Sequence, residues 1–184
     1  VLLGLSGRPG AFDEATVRQM ADNHKWPIIF PLSNPTSSAE AKPVDIFRWT
    51  DGQAIVATGS PFDPVMMGGV THPIGQGNNA FIFPGLGFGA ILSDAKSITD
   101  NMVLEASQAL ADYSIEKYVD GGLIYPPVSD LQETSIRVAT AVVEQAIKDG
   151  VARRENIPED IEAFVRERFW HPTYLPFVRG YLTP

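Results

Sequence analysis

The sequence predicts an α/β fold in which a doubly wound parallel sheet is followed by C-terminal helices. Three short segments are apolar at nearly every position: residues 1–3 (VLL), 27–30 (PIIF) and 54–58 (AIVAT). Strands buried on both faces of a parallel sheet show continuous apolar runs of this kind rather than alternation. Helical patterns lie between them, and such a β-α-β-α-β order favours right-handed crossovers in a doubly wound sheet.

Both crossover segments carry helix signals of their own. Between the first two strands, Asp13 is placed to cap a helix in which Val17 and Met20 recur on one face. Between the second and third strands, residues 37–52 predict a short helix with Pro43 in or near its first turn, where the missing N–H of proline is tolerated. Each crossover is therefore predicted to be helical.

The second half of the chain is predicted to be helical, beginning with residues 81–92 (FIFPGLGFGAIL). Thr99 is expected to cap the next helix. One apolar stripe on that helix consists of Val103, Ala106, Leu110 and Tyr113.

Two further helices are predicted near the C-terminus. Ser129 and Gln132 have capping-box spacing at the start of the first, and Gly150 suits its end. The second is expected to start with Pro158 and to carry acids in its first turn. The apolar stripe of the first helix is formed by Ile136, Ala139, Val143 and Ile147.

The composition argues against several classes of function. A formal charge of −8 and the lack of a lysine or arginine cluster weigh against nucleic-acid binding, which needs a basic face. The longest apolar run, residues 81–92, is too short and glycine-rich to span a membrane, and no signal sequence opens the chain. The absence of cysteine excludes disulfides and thiolate sites and fits a reducing compartment, so the cytoplasm is the expected location.

Val1 leads directly into an apolar strand, with no preceding cap, arm or helix. A doubly wound sheet normally has more strands on this side, which favours a chain that begins within a domain. The alternative interpretation is a complete small domain whose initiator methionine was removed.

Small, neutral residues follow each predicted strand, in loops at residues 4–10 (GLSGRPG), 31–37 (PLSNPTS) and 59–64 (GSPFDP). In open α/β sheets, ligands bind beyond the carboxyl ends of the strands. Glycine lets a ligand approach the backbone, and Ser, Thr and Asn offer hydrogen bonds without charge. These loops suit a dinucleotide lying across a crevice, although the first lacks the full G-x-G-x-x-G pattern and plain turns remain an alternative.

Two asparagine positions are candidates for ligand contact. Asn34 follows a strand, and its amide can donate to one group and accept from another; the alternative is an Asx-turn before Pro35. Asn78 and Asn79 precede an apolar helix, where one can cap the helix and the other meet a ligand. Capping alone is the alternative for either residue.

No catalytic or metal-binding residue is predicted. None of the three histidines has a partner at metal-ligand spacing, and the carboxylates are typical of loops and helix starts rather than of an acid/base pair. The G-x-S-x-G pattern of hydrolases is absent. The residues considered are His24, His72, His171, Asp63, Glu159 and Asp160.

Several strings together resemble the malic enzyme family, in the same order and at similar spacing. They are GLSGRPGAF, LSNPTSSAEA, WTDGQAIVATGSPFDPV, IGQGNNAFIFPGLGFGAI, ITDNM and LIYPPV. The resemblance covers residues 1–150, and the tail FWHPTYLPFVRG more weakly resembles bacterial members. It implies that residues 1–150 form the C-terminal half of an NAD(P)-binding domain with a partial Rossmann-like sheet, and that residues 151–184 form a C-terminal helical extension.

Malic enzymes oxidise L-malate with NAD or NADP and a divalent metal (Mg or Mn) and decarboxylate the product to pyruvate and CO2. The resemblance implies that Asn34 and Asn78 contact malate and that Asn34 also lies near the nicotinamide. Gly4, Leu5 and Ser6 match the loop whose backbone runs along the cofactor. The resemblance does not decide between NAD and NADP.

The family's catalytic tyrosine and lysine, substrate-binding arginine, metal-binding carboxylates and main glycine-rich loop lie upstream of every matched segment. The chain alone is therefore expected to be inactive. Its expected partners are the upstream part of the same enzyme or a companion chain, within a homo-oligomer. Two alternatives stay open: a malolactic enzyme, which converts malate to lactate, and a non-catalytic nucleotide-binding or assembly module.

Overall fold

The computed structural model describes residues 1–173 and confirms the predicted α/β fold. The strands, numbered in chain order, are β1 (Leu2–Gly4), β2 (Ile28–Pro31), β3 (Ile55–Thr58), β4 (Val65–Met67), β5 (Val70–His72) and β6 (Gly75–Gln76). Four of them form a parallel sheet in the order β1-β2-β3-β6, while β4 and β5 form a separate antiparallel hairpin. The three predicted strands correspond to β1, β2 and β3, which are parallel neighbours as expected.

The sheet register aligns the carboxyl ends of all four parallel strands. Gly4 pairs with Pro31, and Thr58 pairs with Gln76, each at the last residue of its strand. The segments that leave these strands therefore begin at the same edge of the sheet, where ligands of open α/β sheets bind.

Within residues 1–173, six α-helices surround or follow the sheet, and short 3₁₀ turns connect several elements. The helices are α1 (Glu14–Asn23), α2 (Pro43–Trp49), α3 (Phe83–Leu92), α4 (Asp100–Lys117), α5 (Leu131–Lys148) and α6 (Ile161–Arg168). The 3₁₀ turns are Thr36–Ser38, Asn79–Phe81, Val119–Gly121 and Val128–Asp130. Among residues 1–173, no helix has the length and apolar character needed to cross a membrane.

The structure confirms most of the predicted helix ends. Asp13 accepts a hydrogen bond from the Thr16 amide at 2.9 Å, and Thr99 accepts one from the Met102 amide at 3.1 Å. Pro43 is the first residue of α2. Gly150, just beyond α5, has a φ of +67°, a left-handed conformation that favours glycine.

Two predicted helix starts are wrong. The N-cap of α5 is Asp130, so Ser129 and Gln132 do not form a capping box. The Asp130 carboxylate accepts hydrogen bonds from tyrosine hydroxyls at the end of α4 instead. Helix α6 begins three residues later than Pro158, because Asp160 caps it by accepting from the Ala163 amide at 2.9 Å.

The predicted apolar stripes of α4 and α5 are largely confirmed, with one error in each. On α4, Ala106, Leu110 and Tyr113 are buried, but Val103 is 42% exposed and Met102 takes its place in the core. On α5 the error is Ile147, which is 45% exposed, whereas the other three predicted residues are buried. Both errors lie in a terminal turn of their helix, where fewer neighbours constrain the packing.

The core consists of one apolar cluster around the sheet and two among the later helices. The sheet cluster includes Val17 of α1, Ile29 of β2 and Ile46 of α2, all fully buried. The helical clusters are centred on α5, whose buried residues contact α3, α4 and α6. Helix α6 therefore packs onto the same helical layer rather than forming a separate body.

Glycines allow α3 to pack closely against α5. A Cβ atom at Gly85 would lie 2.6 Å from the Val138 Cβ, and one at Gly89 would lie 2.7 Å from the Ala139 carbonyl oxygen. Real Cβ atoms essentially never approach so closely. In contrast, a Cβ at Gly87, on another face of the same helix, would meet nothing within 4 Å.

We expect Gly89→Ala to destabilise the fold by about 1–3 kcal/mol, because the added methyl group overpacks the contact with α5. Gly87→Ala is the matched control and should stabilise the protein by up to about 1 kcal/mol, since alanine is the better helix former. Urea unfolding of both variants measures the difference. Equal changes in the free energy of unfolding would contradict the close contact between the helices.

Candidate functional site

The candidate site lies at the carboxyl edge of the parallel sheet, where neighbouring loops are tied side by side. Its loops follow β1, β2, β3 and β6, and all are dominated by small, uncharged residues. Three backbone hydrogen bonds extend the sheet past the strand ends: Leu32 N to Gly4 O at 2.9 Å, Gly59 N to Pro31 O at 3.3 Å, and Gly77 N to Thr58 O at 2.8 Å. These bonds place the first residues of the loops side by side at the sheet edge.

Asn34 is joined to the loop after the neighbouring strand. Its side-chain oxygen accepts a hydrogen bond from the Ser60 hydroxyl, 26 residues away in the sequence. The side chain thus bridges two loops instead of closing an Asx-turn within its own. Its amide nitrogen has no hydrogen-bond partner among residues 1–173, which leaves this donor free for a ligand.

Glu40 is a buried carboxylate that the sequence analysis did not single out. It is fully buried, and one oxygen accepts hydrogen bonds from the Ser6 amide at 2.8 Å, the Ser6 hydroxyl at 2.9 Å and the Ser33 hydroxyl at 2.5 Å. Its other oxygen lies 3.4 Å from the Ser33 amide. Glu40 therefore joins the loop after β1 to the loop after β2.

Glu40 remains ionised despite its burial. Burial by itself would raise the pKa of the carboxyl, but the hydrogen bonds from Ser33 and Ser6 outweigh it and lower the pKa from 4.5 to about 2. Because the folded-state pKa lies below the ordinary value, the stabilisation is complete above about pH 4.5 and is lost as the pH falls towards 2. At neutral pH the Glu40 carboxylate therefore carries a full negative charge.

The predicted cofactor loop, residues 4–6, has an inner side that faces Glu40 and an outer side that faces solvent. A Cβ at Gly4 would lie 2.4 Å from a Glu40 oxygen, so only glycine fits there. The side chain of Leu5 is exposed. Ser6 directs both its amide and its hydroxyl at Glu40, so its donors hold the loop in place instead of facing outward. The outward side of the loop therefore presents the Leu5 side chain and the exposed backbone at Gly7.

Asn78 lines a cleft of about 440 Å³. Its side-chain oxygen caps the following 3₁₀ turn by accepting a hydrogen bond from the Ala80 amide at 2.9 Å. Capping therefore uses the oxygen of the side-chain amide but not its nitrogen. No charged side chain lines the cleft. Its lining residues include Leu32, Gly77, Asn78, Asn79, Ser114 and Tyr125.

Tyr125 forms one wall of this cleft and was not identified from the sequence, although it lies in the LIYPPV string. A Cβ at Gly77 would lie 3.4 Å from the Tyr125 ring and 3.1 Å from Leu32. Tyr125 also covers Gly75, where a Cβ would lie 3.2 Å from the Tyr125 amide nitrogen and 3.7 Å from its ring. Burial raises the pKa of Tyr125, so its hydroxyl stays protonated at neutral pH.

The two asparagines occupy different parts of the edge. Leu32 belongs to the loop of Asn34 and lines the cleft beside Asn78, so the two loops meet there. Asn34 itself is not among the lining residues and instead contacts Ser60. The structure thus brings both loops to one edge of the sheet, with Asn78 in the cleft and Asn34 beside it.

Residues 1–173 contain no group of three or more His, Cys, Asp or Glu side chains that could hold a metal ion. His72, for example, stacks on Phe47 with ring centroids 4.5 Å apart, outside the strand-end loops. The divalent metal implied by the resemblance therefore finds no such ligand group among residues 1–173.

Comparison with known proteins identifies the family to which this fold and these loops belong. The family described as "Malic enzyme, NAD binding domain" matches residues 1–147. The chain belongs to the malic enzyme family. This confirms the resemblance stated from the sequence.

Individual malic enzymes match nearly the whole of this chain but are much longer. It is 47% identical over 97% of its length to the NAD-dependent malic enzyme of Aliivibrio fischeri, and 48% identical over the same share to that of Sodalis glossinidius. It covers 32% of each of these proteins. The chain therefore spans about a third of the length of the curated malic enzymes it matches.

Solved malic enzyme structures share the fold. The crystal structure from Entamoeba histolytica matches 86% of this chain with a TM-score of 0.70 and 31% identity, and the chain covers 29% of it. The structure from Pyrococcus horikoshii matches 90% of the chain with a TM-score of 0.68 and 30% identity, with 34% of that structure covered. The α/β fold predicted from the sequence is thus found in solved malic enzymes.

Proposed function

We propose that this chain is part of an NAD-dependent malic enzyme, which oxidises and decarboxylates L-malate to pyruvate and CO2. The observation that carries the proposal is the set of uncharged, glycine-rich loops at the carboxyl edge of a parallel sheet in a malic enzyme NAD-binding domain. NAD is favoured over NADP because the similar proteins of Aliivibrio fischeri and Sodalis glossinidius are named NAD-dependent malic enzymes.

The proposed cofactor contacts are Gly4, Leu5, Ser6 and Asn34. The fit rests on the exposed backbone of the first loop, because Glu40 holds the Ser6 side chain on the inner side. A dinucleotide needs close approach to the backbone and neutral hydrogen-bonding groups, and this edge offers both. NAD, when bound, would accept a hydride from the hydroxyl-bearing carbon of malate.

The proposed malate contacts are Asn34 and Asn78, which act by orientation. The amide oxygen of Asn34 accepts a hydrogen bond from the Ser60 hydroxyl, and that of Asn78 accepts one from the Ala80 amide. Each side chain is thereby held, while its amide nitrogen can donate to a malate oxygen. Neither side chain can take the hydroxyl proton of malate at neutral pH. Acid/base groups and the divalent metal are therefore proposed to come from the remaining two thirds of the enzyme.

The proposed division of the chain follows the same interpretation. Residues 1–150 would form the C-terminal half of the NAD-binding domain, and residues 151–184 a helical extension. The contact of α6 with α5 supports an extension attached to the domain, while residues 174–184 lie outside the described residues. The proposed partners are malate and pyruvate, the rest of the enzyme, and further copies of the subunit.

The test is an assay of the protein in its full natural length, with NAD or NADP, L-malate and Mg²⁺ or Mn²⁺. We expect malate-dependent reduction of NAD, equimolar release of pyruvate, and a lower kcat/KM with NADP. Lactate formed without net reduction of NAD would instead identify a malolactic enzyme. Binding of NAD without conversion of malate would favour a non-catalytic nucleotide-binding module.

A further inference from the structure

Glu40 is a fully buried carboxylate that lies between two loops of the proposed site. Among residues 1–173 the other Asp and Glu residues are at least partly exposed, whereas Glu40 is enclosed and accepts hydrogen bonds from Ser6 and Ser33. Burying a charge is costly unless several donors compensate it. A neutral side chain could fill the same space, so the charge itself calls for an explanation.

The connectivity of this hydrogen-bond network links two binding loops. Ser6 belongs to the loop proposed to bind the cofactor, and Ser33 directly precedes Asn34 in the loop proposed to bind malate. Ser33 also accepts a hydrogen bond from the Gly7 amide at 2.8 Å, so the loops contact each other directly as well as through Glu40. A displacement of one loop must therefore move or break the bonds of the other.

We propose that Glu40 is a positioning residue that couples cofactor binding at residues 4–7 to malate binding at Asn34. The proposal rests on the proposed function, because it assigns the two loops to these two ligands. Binding of the first ligand orders both loops through one shared carboxylate, so the second ligand binds to a surface that is already ordered. The coupling is reciprocal, as equilibrium linkage requires.

The geometry explains why a carboxylate suits this position better than an amide. Glu40 faces only donors: two from Ser6 and two from Ser33. In Glu40→Gln, the amide oxygen can replace the oxygen that accepts from Ser6 and the Ser33 hydroxyl, but these bonds lose their charge assistance, and the NH2 group faces the Ser33 amide, which is also a donor. The bridge would be weakened while the volume stays constant. Glu40→Asp keeps the charge but shortens the side chain, so it can reach one loop at a time.

The experiment measures binding without turnover, using NADH and L-malate, which cannot react together by oxidation of malate. Isothermal titration calorimetry of the full-length protein, with Mg²⁺ present, gives the Kd of NADH with and without saturating malate. We expect malate to tighten NADH binding in the wild-type protein roughly tenfold, within the usual range of coupling between sites. In Glu40→Gln this ratio should fall close to one.

Glu14→Gln is the matched control, because it makes the same chemical change on the exposed surface of α1, where Glu14 pairs with Arg18. It should keep the wild-type ratio. If Glu40→Gln does not fold, Ser33→Ala tests the same link by removing one donor to the carboxylate while keeping its charge. It should also lower the ratio.

The outcomes separate this proposal from the proposed function. If the wild-type protein binds neither NADH nor malate, the proposed function fails. If it binds both independently, or if a folded Glu40→Gln variant keeps the full coupling ratio, the role of Glu40 is overturned while the proposed function stands. Loss of coupling with an unchanged Kd of NADH in the absence of malate supports the role, because a purely structural defect would weaken the binding of NADH alone as well.

Discussion

Asn34→Asp, introduced into the full-length enzyme, is expected to lower kcat/KM for malate at least tenfold while leaving the melting temperature nearly unchanged. The substitution keeps the shape and the oxygen that accepts from Ser60. It replaces the free amide donor with a negative oxygen beside a dianionic substrate. Two like charges about 4 Å apart repel by roughly 4 kcal/mol at an effective dielectric constant near 20, and even a third of that is about tenfold in affinity.

Steady-state kinetics over a range of malate concentrations and thermal melting are the two measurements. Asn156→Asp is a suitable control, since Asn156 is exposed between α5 and α6 and Asp also tolerates its positive φ of 62°. That variant should behave like the wild-type protein in both measurements. Unchanged malate kinetics in Asn34→Asp would limit Asn34 to bridging the two loops.

Gly59→Ala is expected to destabilise the fold by about 3 kcal/mol or more, a large effect for a single methyl group. A Cβ at this position would lie 2.0 Å from the carbonyl oxygen of Leu32 and 2.6 Å from its carbonyl carbon. The backbone cannot easily yield, because Gly59 donates to Pro31 and Leu32 donates to Gly4. The same displacement would separate the loops after β2 and β3 and reduce activity.

Thermal melting should show a decrease of about 6–12 °C for a domain of this size. Gly121→Ala provides the control, because a Cβ at Gly121 meets nothing within 4 Å and its backbone has an ordinary φ. Its melting temperature should change little. A Gly59→Ala variant as stable as this control would mean that the loops after β2 and β3 are further apart than described.

Elements defined by local signals were predictable from the sequence. Continuous apolar runs gave β1, β2 and β3, and cap residues such as Asp13 and Thr99 marked helix starts correctly. The hairpin β4–β5 was missed, although Gly68 and Gly69, both with positive φ, supply the paired glycines typical of a two-residue hairpin turn. Strand β6 has only two residues, and its pairing with β3 defines it rather than any local pattern.

The site was predictable only in part, because its key contacts join distant segments. Local chemistry drew attention to the strand-end loops, and the family resemblance assigned roles to Asn34 and Asn78. Glu40 was missed because its partner Ser6 lies 34 residues away, and no spacing rule connects them. The only local signal was a lone carboxylate among small residues in PLSNPTSSAEA. Asp130 was likewise not predicted as the N-cap of α5, because its carboxylate contacts Tyr113 of α4, which lies 17 residues away in the sequence.

The strand-end loops of this chain are proposed to form part of the NAD site of a malic enzyme. Hydrogen–deuterium exchange of the full-length protein, with and without saturating NAD, tests it most directly. Binding of NAD should slow amide exchange in residues 4–10 and 31–37, while the exposed surface of α1 exchanges at the same rate. Bound NAD, verified by calorimetry, with no change of exchange in either loop would contradict the claim.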